Sequence, residues 1–453
     1  MSVDGTRLQR RLEDLRRTRA TLARTDQRDE TDADIRRRIA EVVAVADSYG
    51  PPQPVWTDIG RVDPAGLARR MATELDGDAF ETPHGWYVRR ELKPTYLPID
   101  RERLASMPGM PPAHLPLLCL DTETTGLGSA AGTVAFMIGV GWWQGDRMRL
   151  IQLLLPDLSE EAALLDALAA AFPEQACLVT YNGRTFDWPL LETRYRMGRR
   201  KPPAFDQHTD LLLLVRRLFK YRLPDARLGS VEKQLLRRHR TPDIPSWQIP
   251  AVYHSFLRGG PAGPIRVVAR HNAEDVITLG RILAHLERGY GDAEVRRWAA
   301  PGDLIRLARR YRHEGRIDEA VECLEMAGND PRTGDPESAM AIVELARLLR
   351  RCGRMSDAAT AWSRLVTAPG PLAALGWIEL AKEREHRERN LDAAWAATDE
   401  AMLALFHSRT RGDGHAMLRR SLEADLVKRR ARLAKRLERA SAAGFRGDAT
   451  PEG

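Results

Sequence analysis

Cysteine is scarce in this chain, and lysine is far outnumbered by arginine. The four cysteines, Cys119, Cys177, Cys323 and Cys352, are scattered and none forms a C-x-x-C pair. That disfavours zinc sites and a disulfide framework, and it fits a reducing compartment. No apolar run approaches the roughly 20 residues needed to span a bilayer. The arginine-rich N-terminus lacks the apolar core of a secretory signal. The expectation is therefore a cytoplasmic protein with no membrane segment. The preference for arginine suits bidentate phosphate contacts, but genome base composition explains it as simply. A formal charge of +7 over 453 residues is a modest excess, compatible with a polyanion partner without establishing one.

What is present divides the chain. At 453 residues it is too long for one ordinary core, so two domains with extensions are expected. Residues 1–50 read as a charged helical extension, with Leu8, Leu12, Leu15 and Leu22 near helical spacing, ended by the proline-rich stretch from Gly50. Residues 51–110 form a preamble with a short strand at Trp86–Glu91. Residues 111–290 read as an α/β domain with a central mixed sheet flanked by helices. Its strands are expected at Leu117–Asp121, Thr133–Trp143, Arg147–Leu155 and Cys177–Tyr181, the second and third joined by a Gln144-Gly145-Asp146 turn. A helix capped by Ser159 is expected to reach about Phe172, and others are expected at 186–197, 210–221, 228–238, 251–257 and 267–288. Residues 301–440 are helical, with Leu-Ala landmarks at Leu307, Leu345 and Leu380 spaced near the period of helix–turn–helix repeats. They resemble tetratricopeptide repeats and offer a surface for a protein partner. A basic helix follows, suited to capping the repeats or to touching nucleic acid. Residues 441–453 read as a disordered tail.

The chemistry centres on Leu117-Leu118-Cys119-Leu120-Asp121-Thr122-Glu123-Thr124-Thr125-Gly126-Leu127. An apolar strand ends in two carboxylates two positions apart, which therefore share a face. Beside an apolar core such a pair is costly unless a cation joins it, and hard oxygen ligands suit Mg2+ or Mn2+. Solvated acids at a strand end are the plain alternative. Two acids cannot hold two ions, so others should pack beside them. Asp187 follows the buried strand in Thr180-Tyr181-Asn182-Gly183-Arg184-Thr185-Phe186-Asp187, where capping a helix is its competing role. Asp275 lies four residues after His271, so the two share a helix face. Asp206 and Asp210 are spare acids and rank below Asp187.

Taken together, these strings resemble the DEDD (DnaQ-like) 3′–5′ exonucleases of ribonuclease-H-like fold. Asp121 and Glu123 match the first motif, Asn182, Phe186 and Asp187 the second, and Asp275 the end of the third. The Y-N-G-x-x-F-D-W-P-L-L and H-N-x-x-D-V strings narrow the resemblance to the YprB-type bacterial ribonuclease-H-like proteins. It implies two divalent ions, Mg2+ or Mn2+, held by Asp121, Glu123, Asp187 and Asp275. It also implies a terminal nucleotide bound near Thr124, Thr125, Gly126, Leu127, Asn182 and Phe186. Leu127 and Phe186 could wedge against bases or be core, and core is the better reading of Tyr181 and Trp188. One departure stands out. The family carries tyrosine four residues before the last aspartate or histidine five before, whereas here Arg270 is five before and His271 four before. His271 suits a base near neutrality, or a structural role.

The expected function is thus a metal-dependent 3′–5′ exonuclease on single-stranded DNA or RNA. The alternative is a non-catalytic nucleic-acid-binding or scaffold protein that uses the same fold and the helical repeats for recruitment.

Overall fold

The computed structural model describes residues 63–126, 132–240, 244–329, 336–368, 370–412 and 416–447. The extension expected at 1–50, the start of the preamble and Leu127 lie outside the described residues. One compact unit begins at Asp63 and includes both the sheet and the C-terminal helices.

The preamble contributes α1 (Pro64–Leu75), β1 (Asp78–Thr82), β2 (Gly85–Glu91), β3 (Thr95–Tyr96) and α2 (Arg101–Ala105). Next come β4 (Leu117–Thr124), β5 (Ala135–Gln144) and β6 (Arg147–Leu154), antiparallel as their turn chemistry predicts. Helix α3 (Glu161–Ala171) leads to β7 (Cys177–Thr180), α4 (Asp187–Met197) and β8 (Gln207–Asp210). Among the described residues the strand order is β1-β2-β6-β5-β4-β7-β8, with β3 also on β6. The β4–β7 and β7–β8 pairs are parallel. All four residues of β7 are buried, which is why it reads as an unbroken apolar run.

Three expectations change here. The preamble is no separate segment, because β2 pairs with β6 through Val88–Glu91 and widens the central sheet. Asp157, rather than Ser159, accepts the backbone N–H at the start of the turn before α3. Residues 207–210 form β8, while α5 (Leu211–Phe219) starts only afterwards, with Asp210 as its cap. Four mostly polar residues are too short to show a strand period.

Helices α6 (Leu228–Gln234), α7 (Ile249–Leu257) and α8 (Gly263–Tyr290) complete the α/β part. The long α8 packs on β4, β5 and β6. It lies unusually close because two glycines of β5 face it. A Cβ on Gly139 would stand 2.4 Å from the Asn272 Oδ1 and 2.7 Å from Val276, and one on Gly141 would stand 2.8 Å from Val276. That close approach lowers the middle of α8 onto the end of β4.

After the short α9 (Ala293–Arg296), the chain is all helical. Its helices are α10 (Pro301–His313), α11 (Ile317–Gly328), α12 (Pro336–Arg351), α13 (Met355–Arg364), α14 (Pro371–His386), α15 (Leu391–Thr410) and α16 (Ala416–Gly447). Each packs on the next. Helix α16 runs to Gly447, into the segment read as a disordered tail, and residues 448–453 lie outside the described residues. Gly315 and Gly353 adopt φ of 77° and 78° at matching turns, and Arg389 takes φ 53° at the third. The boundary near 290–301 is no loose linker. Asp303, 1% exposed, accepts hydrogen bonds from Tyr221 (2.6 Å), Tyr290 (2.8 Å) and Arg222 (2.7 Å), and one apolar core runs from the sheet into α10–α13.

Candidate active site

Alternation along β4 sends Asp121 and Glu123 to the face that α8 covers. A register shift follows between Glu123 and Thr124, past which Thr124 still pairs with Ala135. Asp187 arrives at the first turn of α4, where the helix N-terminus favours its charge. The Thr122 hydroxyl, on the other face of β4, donates to Asp187 Oδ1 at 2.6 Å. Helix α8 supplies His271 and Asp275. The imidazole Nε2 lies 3.8 Å from Glu123 Oε1 and 3.6 Å from Asp275 Oδ2.

Asp121 is oriented by a relay of buried amides to which the sequence reading gave no role, although Asn272 is the asparagine of the H-N-x-x-D-V string. Arg90 on β2 donates to Gln152 Oε1 (3.1 Å), and Gln152 Nε2 donates to Asn272 Oδ1 (2.9 Å). Asn272 Nδ2 then donates to Asp121 Oδ2 at 2.9 Å. Arginine can only donate, which fixes both amide orientations and leaves an N–H for the carboxylate. Gln152 and Asn272 are wholly buried, so the relay is locked.

The electrostatics are those of crowded like charges. Burial, then the charges of Asp275, Glu123 and Asp187, push the Asp121 carboxyl well above its ordinary value, against the pull of the Asn272 hydrogen bond. Burial raises Asp187 from 3.8 to about 6, with Thr122 opposing. Burial also raises Asp275, while His271 and Arg240 pull it down. Arg240 is bonded directly to this set: it donates to Asp275 Oδ1 and grips Glu232 with bonds of 2.7 and 2.8 Å. The Thr278 hydroxyl completes the buried Glu232.

Four hard carboxylates, three of which raise the fourth, suit a divalent cation in donor type and in charge. Among the described residues, however, no three His, Cys, Asp or Glu side chains are gathered as a ready ligand set. Asp275 turns to Arg240 instead, so taking up an ion requires Asp275 to exchange partners.

The expected nucleotide-contacting residues divide. Thr124, Gly126 and Phe186 line a cavity of about 210 Å3 with Thr122, Glu123 and Asp187, and Phe186 is 51% exposed. Ser246, Ile249 and Pro250 close its far wall, in a stretch the sequence presents only as a loop. Thr125 faces elsewhere, its hydroxyl accepting from Val134 N–H at 3.0 Å. Asn182 shapes the turn at φ 68°, its N–H donating to Asp210. Asp210 also accepts from Arg184 and Leu212 N–H, and Asp206 accepts from Ala176 N–H, so both spare acids fasten backbone.

With strands, α8 and acids arranged this way, the protein is a ribonuclease-H-like α/β protein, and it matches the profile of the RNase_H superfamily over residues 118–287. It is 30% identical to YprB of Bacillus subtilis (strain 168), itself uncharacterized, over 291 residues covering 63% of this chain and 69% of YprB. The chain belongs to that family. The match extends well past the 170-residue superfamily segment (118 to 287), so it takes in residues outside the sheet's core.

Proposed function

We propose that this protein is a metal-dependent nuclease, a 3′–5′ exonuclease on single-stranded DNA or RNA in the cytoplasm. The observation that carries the reading is the convergence of Asp121, Glu123, Asp187 and Asp275, with Asp121 pushed up by burial and by the other three acids. Membership of a superfamily that generally hydrolyses phosphodiesters supports it. Asp121, Glu123, Asp187 and Asp275 would hold the two divalent ions, Mg2+ or Mn2+. When bound, such ions supply the Lewis acidity that phosphodiester hydrolysis needs. Asn272 and Thr122 orient Asp121 and Asp187. His271, facing both Glu123 and Asp275, is placed to take a proton. Thr124, Gly126 and Phe186 shape the cavity for the terminal nucleotide. The helices from α10 onward act as tetratricopeptide-like repeats that present a surface to a protein partner. Their left-handed glycines at matching turns support this part.

The test is cleavage of matched end-labelled DNA and RNA strands with Mn2+ or Mg2+. Shortening from the 3′ end, lost in Asp121→Asn, is the expected result. If Asp121→Asn cleaves as the wild type does, the site is misassigned. The ion pair of Arg240 with Asp275 favours a second reading, a binding module that does not cut, and strand binding without cleavage under either metal would establish it.

A further inference from the structure

One cavity opens beside the carboxylates, at His271 and Arg240, and meets a second farther along α8. The nearer, about 190 Å3, is lined by His271 and by Arg238, Arg240, Arg270 and Arg281. Its two acids are already engaged, Glu232 by Arg240 and Glu274 by Arg281 at 2.9 Å. Among the described residues neither Arg238 nor Arg270 has a side-chain ion pair, and both are exposed. The second cavity, about 500 Å3, shares Arg238 and Arg281 with the first and adds Arg288 and Tyr96. Tyr96 is 65% exposed. His285 lines this cavity too, and its Nε2 is buried without a hydrogen-bond partner among the described residues.

The cationic lining therefore runs along α8 from His271 to Arg288, about 25 Å at 1.5 Å per residue. That accommodates about seven nucleotides at the 3.4 Å stacked spacing. A cationic groove with an aromatic platform is what an unpaired strand needs: guanidinium groups for phosphates and a ring for a base.

We propose that this groove is the track for a single-stranded nucleic acid, with Arg238, Arg270, Arg281 and Arg288 on its phosphates and Tyr96 stacking on a base. The track rests on the nuclease reading for its direction, since it starts at the carboxylates. It makes the strand leave the site along α8 towards β3, and it gives the protein a binding length beyond the terminal nucleotide. Arg240 sits where track and carboxylates meet.

The test separates binding from cutting. Anisotropy of labelled single strands of about four to sixteen nucleotides is measured in EDTA at several salt concentrations. Wild-type affinity should climb to about seven nucleotides and then level. Arg238→Ala with Arg288→Ala should lower the salt slope by about 1.4, at about 0.7 per phosphate contact, and weaken binding on the order of 20-fold at 0.1 M salt. Arg196→Ala with Lys201→Ala, which removes equal charge from residues lining neither cavity, should bind like wild type. Equal loss in both double variants, or none in the first, overturns the track. Hydrolysis of thymidine 5′-p-nitrophenyl phosphate by the wild type with Mn2+ reads the nuclease assignment separately. Hydrolysis together with unchanged binding in Arg238→Ala/Arg288→Ala sinks the track alone. Weakened binding without hydrolysis sinks the nuclease reading alone.

Discussion

Two groups of buried acids in this protein are solved in opposite ways. In the helical region, Glu385 is 2% exposed and accepts from Arg429 (2.6 Å), Arg432 (2.7 Å) and Arg436 (2.6 Å), which tie α14 to α16. Burial pushes its carboxyl up, but the hydrogen bonds of Arg432 and Arg436 and the charges of Arg432 and His386 outweigh that and hold it below its ordinary value. At the end of β4 the arrangement reverses. Asp121 faces three other acids and a neutral amide, and Asp275 shares Arg240 with Glu232. A carboxylate kept for structure is surrounded by donors. A carboxylate set whose members crowd one another would gain from a cation brought in from outside, as the proposed function requires.

The contrast breaks most sharply at Asp121. Asp121→Asn should cut cleavage about a thousandfold, a loss of several kcal/mol of transition-state stabilisation, measured by single-turnover assay. Glu385→Ala should instead leave the cleavage site alone and destabilise the fold by about 3 kcal/mol, read by urea unfolding, because it strands the half-buried Arg429.

The pH dependences should have opposite signs. Asp187 is raised, from 3.8 to about 6, so its contribution to stability is complete below its ordinary value and is lost as pH rises through about 6. Without metal, Asp187→Asn should therefore gain stability relative to wild type above pH 6, by about 3 kcal/mol at 1.36 kcal/mol per unit. Glu385 is lowered, so its contribution is present above its ordinary value and is lost as pH falls. Melting curves at pH 4 and pH 8 compare the two.

The relay gives an intermediate effect. Gln152→Leu leaves Asn272 free to turn, and should reduce activity or metal affinity about 10- to 100-fold with Asp121 itself intact. Arg389→Gly is the smallest. It removes a side chain from a left-handed turn that Gly315 and Gly353 occupy elsewhere, and should stabilise by about 1 kcal/mol.

Much of the site was legible because its acids obey local periods. Asp121 and Glu123 are two apart on a strand, and His271 and Asp275 are four apart on a helix, so each pair could be placed on one face without coordinates. Their partners could not. Gln152 is one polar residue in the buried half of β6, and its meaning depends on α8 approaching through Gly139 and Gly141. Arg240 is one arginine among many in this chain, and only the packing of α6 and α8 brings it to Asp275. β8 escaped because four mostly polar residues carry no period, and the preamble escaped because its pairing partner β6 lies some sixty residues on.

Whether the crowded acids take up a divalent cation, as proposed, is read without any substrate by thermal unfolding at pH 7.5. Mn2+ should raise the wild-type melting temperature in a saturable way and leave that of Asp121→Asn unmoved. An equal rise in both, or none in the wild type, would contradict the account.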